Sequence, residues 1–411
     1  MNRTTLNLPK AVSFDTIELP EQNCPNCSSE GLLAFYCLDD IPVHSCLLMF
    51  NKDEALKYPK GNLQLGFCSN CGFITNTRFE PGVHNYSADY EETQGFSECF
   101  NAFAKSLAQR IIDKYNIRDK TILEIGCGKG EFLALMCRLG NNRGIGIDPA
   151  YVPERNPDVT GGKIEFIRDF YSEKYAHLKA DVICCRHTLE HIAPTRQFMQ
   201  TLRKTIGDRK DTLIFFELPD VMRVLGEGAF WDIYYEHCSY FTAGSLAGLF
   251  RICGFDIDDL YLDYDGQYLI LTAYPAQSRT NMSMDIENDL EQLSTAIKEF
   301  KENCSRRIDY WRGIIEQATR QGQRVVIWGS GSKGVAFLTT LKLDNQIEYA
   351  VDINPYKQGR NMPGTGQQVI SPKFLKQYAP DKVIVMNPIY CREIQEELDR
   401  LNIKADLLAV S

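Results

Sequence analysis

A chain of 411 residues should divide into two or three domains, each able to bury its own core. Its composition is ordinary for a globular protein, and a formal net charge of −9 argues against nucleic acid as a partner, which needs clustered Lys and Arg. No stretch approaches the roughly 18 apolar residues of a membrane span, the opening MNRTTLNLPKAVSF lacks an apolar signal core, and fifteen cysteines suit a reducing cytosol better than a disulfide framework, so the protein is expected to be cytoplasmic with no membrane partner.

Taken in order, the chain first offers Cys24-Pro25-Asn26-Cys27 and Cys68-Ser69-Asn70-Cys71, two CxxC turns with forty residues between them. A two-residue gap lets one turn supply two thiolates at the bite a tetrahedral zinc requires, and two such turns close the site. Four protein ligands leave no open position, so this zinc is expected to be structural. Cys37, His44 and Cys46 lie between the turns and could replace a ligand; a redox CxxC is disfavoured because neither turn opens a helix after a strand. The segment Phe79 to Phe103 then reads as a polar and aromatic linker carrying Tyr86 and Tyr90, leading into a helix over Lys105 to Tyr115.

The most informative stretch is Thr121 to Pro149. An apolar run, Ile122 and Leu123, ends in Glu124; a turn with Gly126, Gly128 and Gly130 follows, then a helix over Phe132 to Leu139, then a second apolar run, Gly144 to Ile147, ending in Asp148. This pattern predicts strand, tight loop, helix and strand, with a ligand site at the strand tips. A dinucleotide loop would read G-x-G-x-x-G and receive a pyrophosphate. The carboxylate of Glu124 would repel that group but suits a ligand with a cationic amino-acid end. The stretch resembles motif I of class I S-adenosylmethionine-dependent methyltransferases. That resemblance implies a doubly wound α/β core, with Asp148 on the ribose and Gly126, Gly128 and Gly130 along the methionine moiety.

Further strands are expected at Lys163 to Arg168, ending in Asp169 where adenine contacts would fall, at Asp181 to Cys185, and at Thr212 to Phe216. Arg186 to Ile192 leaves the second of these beside the donor, making His187 and His191 candidates on the donor and acceptor sides. Phe230 to Thr242 packs aromatics around Glu236 and His237, and a helix over Leu246 to Cys253 and strands within Phe255 to Ala273 follow. Apolar residues from Ile286 to Ala318 recur every three or four positions, marking a long amphipathic helix or helix pair with one buried stripe, packed between two lobes or forming a dimer seam. Beyond it, Arg324 to Trp328 is a strand, Gly329-Ser330-Gly331-Ser332-Lys333-Gly334 does match G-x-G-x-x-G, and Asp352 closes the next strand. The unit is too short for a complete dinucleotide fold. Amides at Gly331 to Gly334, with Lys333, could hold a diphosphate; a purely structural lobe and NAD binding are the alternatives.

The two CxxC pairs, EIGCGKG, the LEHI turn, YYEHCSYFT and VDINPYKQGRNMPGT, in this order, are similar to the sugar C-methyltransferases of deoxysugar pathways over nearly the whole chain. The likeness implies methylation of C3 of a nucleotide-linked 4-keto-deoxyhexose, with His237 as base, Tyr234 and Glu236 as its neighbours in the acceptor pocket, His191 as a second acceptor-side group, and Tyr86 or Tyr90 as the linker tyrosine. It also implies that a diphosphate held at Gly331 to Gly334 belongs to the nucleotide-linked sugar. The implied architecture is a small zinc-binding domain (1–84), a Rossmann-like methyltransferase core (85–280), an amphipathic helical linker (281–320) and a Rossmann-like α/β domain (321–411), as monomer or homodimer. An O-methyltransferase, or a nucleotide-sugar or NAD-binding protein with a vestigial donor site, are the rival readings.

Overall fold

The computed structural model describes residues 12–83, 86–155, 163–276, 283–343 and 346–411. The expected domain boundaries at 84/85 and 280/281 fall outside these residues.

At the centre lies a seven-stranded sheet in the order Phe255–Asp263, Tyr268–Pro275, Leu213–Pro219, Val182–Arg186, Thr121–Ile125, Arg143–Ile147, Ile164–Ile167. The last five are parallel, whereas Tyr268–Pro275 runs antiparallel beside Leu213–Pro219 and pairs with Phe255–Asp263 as a hairpin. Strand order reverses between Thr121–Ile125 and Val182–Arg186, so both chains leave this point in opposite directions and open a crevice at their carboxyl ends. The helix Glu131–Gly140 follows the glycine loop. The helix before the core begins at Glu98, seven residues earlier than expected, because Ser97 caps it by accepting a hydrogen bond from the Phe100 amide.

The N-terminal sheet runs Val12–Ser13, Glu30–Pro42, Lys60–Phe67, Ile74–Asn76, Ser239–Tyr240, with Ile17–Asn23 also on Glu30–Pro42. Its last strand comes from the aromatic segment near residue 240, so this sheet is completed from the central part of the chain. Cys238 is pinned there as well: its carbonyl accepts from the Asn76 amide and the Thr75 hydroxyl.

The C-terminal sheet has five parallel strands, ordered Gln368–Ile370, Ile347–Val351, Val325–Trp328, Lys382–Val385, Asp406–Ala409. The expected long helix is one element, Leu290–Arg320. Its stripe of Leu293, Ile297, Phe300, Cys304, Ile308, Trp311 and Ile315 joins one core with Phe14, Phe35 and Tyr36 of the N-terminal sheet, Phe230 and Trp231 of the aromatic segment, and Phe337 of the C-terminal lobe. Phe300 meets Phe35 and Tyr36 edge-on, and Trp311 meets Phe337. The stripe is therefore consumed inside the chain and is not a dimer seam.

Candidate active site

A cavity of about 2230 Å³ opens over the carboxyl ends of the central strands and is lined by residues of all three parts, from Tyr86 and Tyr90 through the glycine loop to Lys333. Its floor is the loop after Thr121–Ile125. Gly126, Gly128 and Gly130 all have positive φ (69°, 53° and 83°), which glycine alone adopts freely. A Cβ on Gly126 would stand 2.0 Å from the Thr188 hydroxyl, and one on Gly128 would stand 2.6 Å from Glu92 Oε1. The loop is thus backed closely by two neighbouring segments. Asp148 accepts from the Gly128 amide at 2.8 Å and the Ala150 amide at 2.7 Å, tying the second strand tip to the loop. Burial pushes its carboxyl up in pKa.

Glu124 is buried, burial raises it to about 8, and its Oε2 has no hydrogen-bond partner among the described residues. An orphaned buried carboxylate oxygen is costly unless a ligand donor meets it. The acid-flanked loop therefore fits a donor with a cationic amino end. Asp169 also lines the cavity, but its oxygens are engaged locally by the Phe170 amide, Tyr175 and Lys174; the Lys174 contact comes first among the causes that lower its pKa to about 2.

Beside this floor lies a cluster the sequence did not assemble. His187, with φ of 45°, is bonded through Nε2 to Glu217 at 3.1 Å and sits 3.6 Å from Glu190. Glu217 also takes Arg186 Nε at 2.5 Å. Burial opposes charge on His187, but Glu190 and Glu217 outweigh it and hold the imidazolium up to about 9. Burial likewise opposes ionisation of Glu217, yet Arg186 and His187 keep it down to about 2.

Elsewhere on the cavity wall, two tyrosine–histidine pairs face one another. The Tyr234 hydroxyl lies 3.0 Å from His237 Nε2, and the Tyr86 hydroxyl 3.0 Å from His191 Nδ1. The two imidazole rings meet edge-on with centroids 4.8 Å apart. Burial, with His191, His187 and Lys333 adding to it, drives His237 well below its ordinary pKa. Burial also drives Tyr86, Tyr90 and Tyr234 well above the usual phenol value, so all three stay protonated at neutral pH.

Glu236 differs from expectation. It is fully buried behind the cavity wall and does not bond its neighbour His237. Adjacent residues on this extended turn project apart, and Glu236 instead accepts from His44 Nδ1 at 3.0 Å, the Ser45 amide, and the Tyr90 hydroxyl at 2.9 Å. Burial opposes its ionisation, but the His44 bond turns the balance and lowers its pKa. It thereby fixes Tyr90, whose ring packs edge-on against Tyr86 with centroids 5.1 Å apart.

In the C-terminal lobe, Gly331, Lys333 and Gly334 line the far end of the same cavity. A Cβ on Gly334 would lie 2.4 Å from the Gly329 carbonyl, which explains the glycine at this loop–helix contact. Lys333 is held by Asp232 at 2.8 Å, which also pairs with Arg223. Asp352 accepts from the Ser330 hydroxyl and amide of its own loop.

The four thiolate candidates come together away from the cavity. One Sγ from each of Cys24, Cys27, Cys68 and Cys71 lies within 4.8 Å of the others, with Cys24–Cys71 and Cys27–Cys68 both at 3.7 Å. Zinc–sulfur bonds of about 2.3 Å in a tetrahedron require edges of about 3.8 Å. The site abuts the core: Asn26 donates to the Ser245 carbonyl, and Arg196 donates to Cys27 and Ser28. Cys37 and His44 are engaged elsewhere, by Gln64 and Glu236.

Residues 97–260 match the family described as a methyltransferase domain, and residues 273–405 match that described as a C-methyltransferase C-terminal domain. C-methyltransferase NovU of Streptomyces niveus is 24% identical over 392 residues, spanning 91% of each chain. Ribosomal protein L11 methyltransferase of Pasteurella multocida (strain Pm70) is 36% identical over 113 residues, 26% of this chain and 34% of that one. Among solved structures, 1,6-didemethyltoxoflavin-N1-methyltransferase of Burkholderia thailandensis, with bound S-adenosylhomocysteine, covers 42% of this chain and 79% of its own at 19% identity and a TM-score of 0.34. With the strand order and acid-flanked loop, the two domain matches and the similarity to a C-methyltransferase over 91% of the chain make it an S-adenosylmethionine-dependent methyltransferase. Within that class its C-terminal part is similar to C-methyltransferases: residues 273–405 match the C-terminal domain described for them, in line with the motif resemblance.

Proposed function

We propose that the protein transfers a methyl group to the carbon beside the ketone of a nucleotide-linked keto-deoxysugar, with His237 as the base. The observation that carries this reading is the meeting, in one cavity, of the acid-flanked glycine loop and the facing Tyr234–His237 and Tyr86–His191 pairs.

The bound S-adenosylmethionine supplies an electrophilic methyl. Glu124 would receive its ammonium end, Asp148 its ribose, and Gly126, Gly128 and Gly130 allow the close approach between them; Asp169 and His187 complete the donor side. A carbon becomes nucleophilic only after losing a proton, and one beside a carbonyl loses it most readily. His237, kept neutral by burial, presents a lone pair for that proton. Tyr234 orients the imidazole and accepts from it once charged. Tyr86, a protonated phenol, can donate to the developing enolate oxygen, whereas Tyr90, whose hydroxyl already donates to Glu236, packs against Tyr86 and holds its ring in place. His191 anchors Tyr86.

The nucleotide belongs at the C-terminal loop, where Gly331, Lys333 and Gly334 face the same cavity. The Cys24, Cys27, Cys68 and Cys71 set fits a structural zinc. None of the fifteen cysteines is paired in a disulfide, which suits the cytoplasm, and no helix among the described residues is long and apolar enough to cross a membrane.

The test is solvent exchange. In D2O with S-adenosylhomocysteine in place of the donor, a nucleoside-diphosphate 4-keto-6-deoxyhexose should gain one deuterium beside its ketone, and His237→Ala should abolish that gain. A turnover-competent enzyme that exchanges no proton would refute the enolate route.

A further inference from the structure

One carboxylate oxygen of Glu190 and one nitrogen each of His191 and His237 lie within 4.8 Å of one another at the cavity wall. Glu190 is only 2% exposed, and its Oε2 is buried with no hydrogen-bond partner among the described residues, while its other oxygen lies 3.6 Å from His187. Such a carboxylate oxygen is stable only if a donor or a cation arrives.

The two imidazoles are prepared in the way metal-bound histidines are. Each has one ring nitrogen anchored by a phenol, Nδ1 of His191 by Tyr86 and Nε2 of His237 by Tyr234. An outer hydrogen bond of this kind fixes ring orientation and tautomer at metal sites. The opposite nitrogens, Nε2 of His191 and Nδ1 of His237, carry no hydrogen bond recorded among the described residues. Zinc-type bonds of about 2.1 Å place neighbouring donors roughly 3.4 Å apart, inside the 4.8 Å within which one nitrogen of each ring and one Glu190 oxygen gather. Two imidazoles and one carboxylate select borderline transition ions over magnesium or calcium, which prefer all-oxygen sets.

We propose that Glu190, His191 and His237 form a second metal site, distinct from the four-cysteine set, for a divalent ion of the zinc, cobalt and nickel class, and that its occupation switches the enzyme off. The ion takes the lone pair of His237 and covers the acceptor side of the cavity, leaving Glu124 and Asp148 untouched. The inhibitory consequence rests on the assignment of His237 as base.

The experiment titrates Co2+ into the enzyme carrying its cysteine-bound ion, without acceptor or donor. One further cobalt per chain is expected, with visible d–d absorption but no thiolate-to-cobalt charge-transfer band. Glu190→Gln and His191→Ala should each weaken it at least about tenfold. In turnover assays, Co2+ should compete with the acceptor while leaving S-adenosylhomocysteine affinity unchanged. Absence of the extra equivalent, equal affinity in both variants, or binding without loss of turnover would overturn the proposal. Should a variant fail to fold, Cu2+ bound to the wild type decides instead: nitrogen hyperfine coupling from two imidazoles is expected, and coupling from none refutes the site. The titration contains no acceptor, so its failure is separable from failure of the deuterium exchange.

Discussion

Replacing His237 by alanine separates proton abstraction from donor binding. The imidazole is buried, is bonded only to the Tyr234 hydroxyl among the described residues, and lies across the cavity wall from the Asp148 loop. Loss of a positioned base costs about 10²–10⁴ in rate, or about 3–5 kcal/mol of barrier. Stability should suffer less. The half-buried Tyr234 hydroxyl loses one partner, about 1–2 kcal/mol, which for a core of this size lowers Tm by a few degrees. Stopped-time methyl-transfer assays should show kcat collapsing, while calorimetry gives an S-adenosylhomocysteine Kd within about twofold of the wild type. Because the alanine leaves an imidazole-sized gap open to the cavity, added imidazole should restore part of the rate. An unchanged kcat would remove His237 from the base role. A Kd that weakens in step with kcat would show a general collapse of the site and refute the reasoning as well.

Other perturbations give equally direct readouts. The His187 pKa is raised from 6.5 to about 9, so its contribution is complete below about pH 6.5 and lost as pH climbs through about 9; at 1.36 kcal/mol per pH unit it is bounded at about 3 kcal/mol. Thermal unfolding should therefore show Tm falling over that window, and His187→Gln should flatten the fall; an unaltered profile would contradict the Glu190–His187–Glu217 cluster. Purified enzyme should contain one zinc per chain, and Cys68→Ser should lose both the metal and the cooperative unfolding transition, whereas a metal-free, fully folded preparation would contradict the zinc assignment. Lys333→Ala should raise KM for the nucleotide-linked acceptor about tenfold or more with donor affinity unchanged; an unaltered KM would move the nucleotide away from the C-terminal loop.

What the sequence disclosed and what it hid follow from range. The glycine loop, Glu124 and Asp148 lie within one strand–helix–strand unit, and the CxxC turns are local motifs, so spacing alone locates them. The long helix declares itself by period. Glu236 was misplaced because its partners His44, Ser45 and Tyr90 come from parts of the chain that no local pattern joins. The same limit hid Glu190 and Glu217, which are ordinary acids in sequence and acquire meaning only when two parallel strands lie side by side. The strand at Ser239–Tyr240 was invisible for a related reason: two residues carry no period, and their partner Ile74–Asn76 is far away in sequence. The early start of the helix at Glu98 did leave a signal, since Ser97 followed by an acid is an N-cap pattern.

Where the methyl group goes separates carbon from oxygen transfer most directly. Turnover with donor labelled with 13C in the methyl, followed by NMR of the isolated product, reads the new bond without reference to any residue. A methyl carbon bonded to the ring carbon next to the retained ketone is the expected result. A methyl resonance at the position of an O–CH3 group, with the ring carbons unlabelled by coupling, would contradict it.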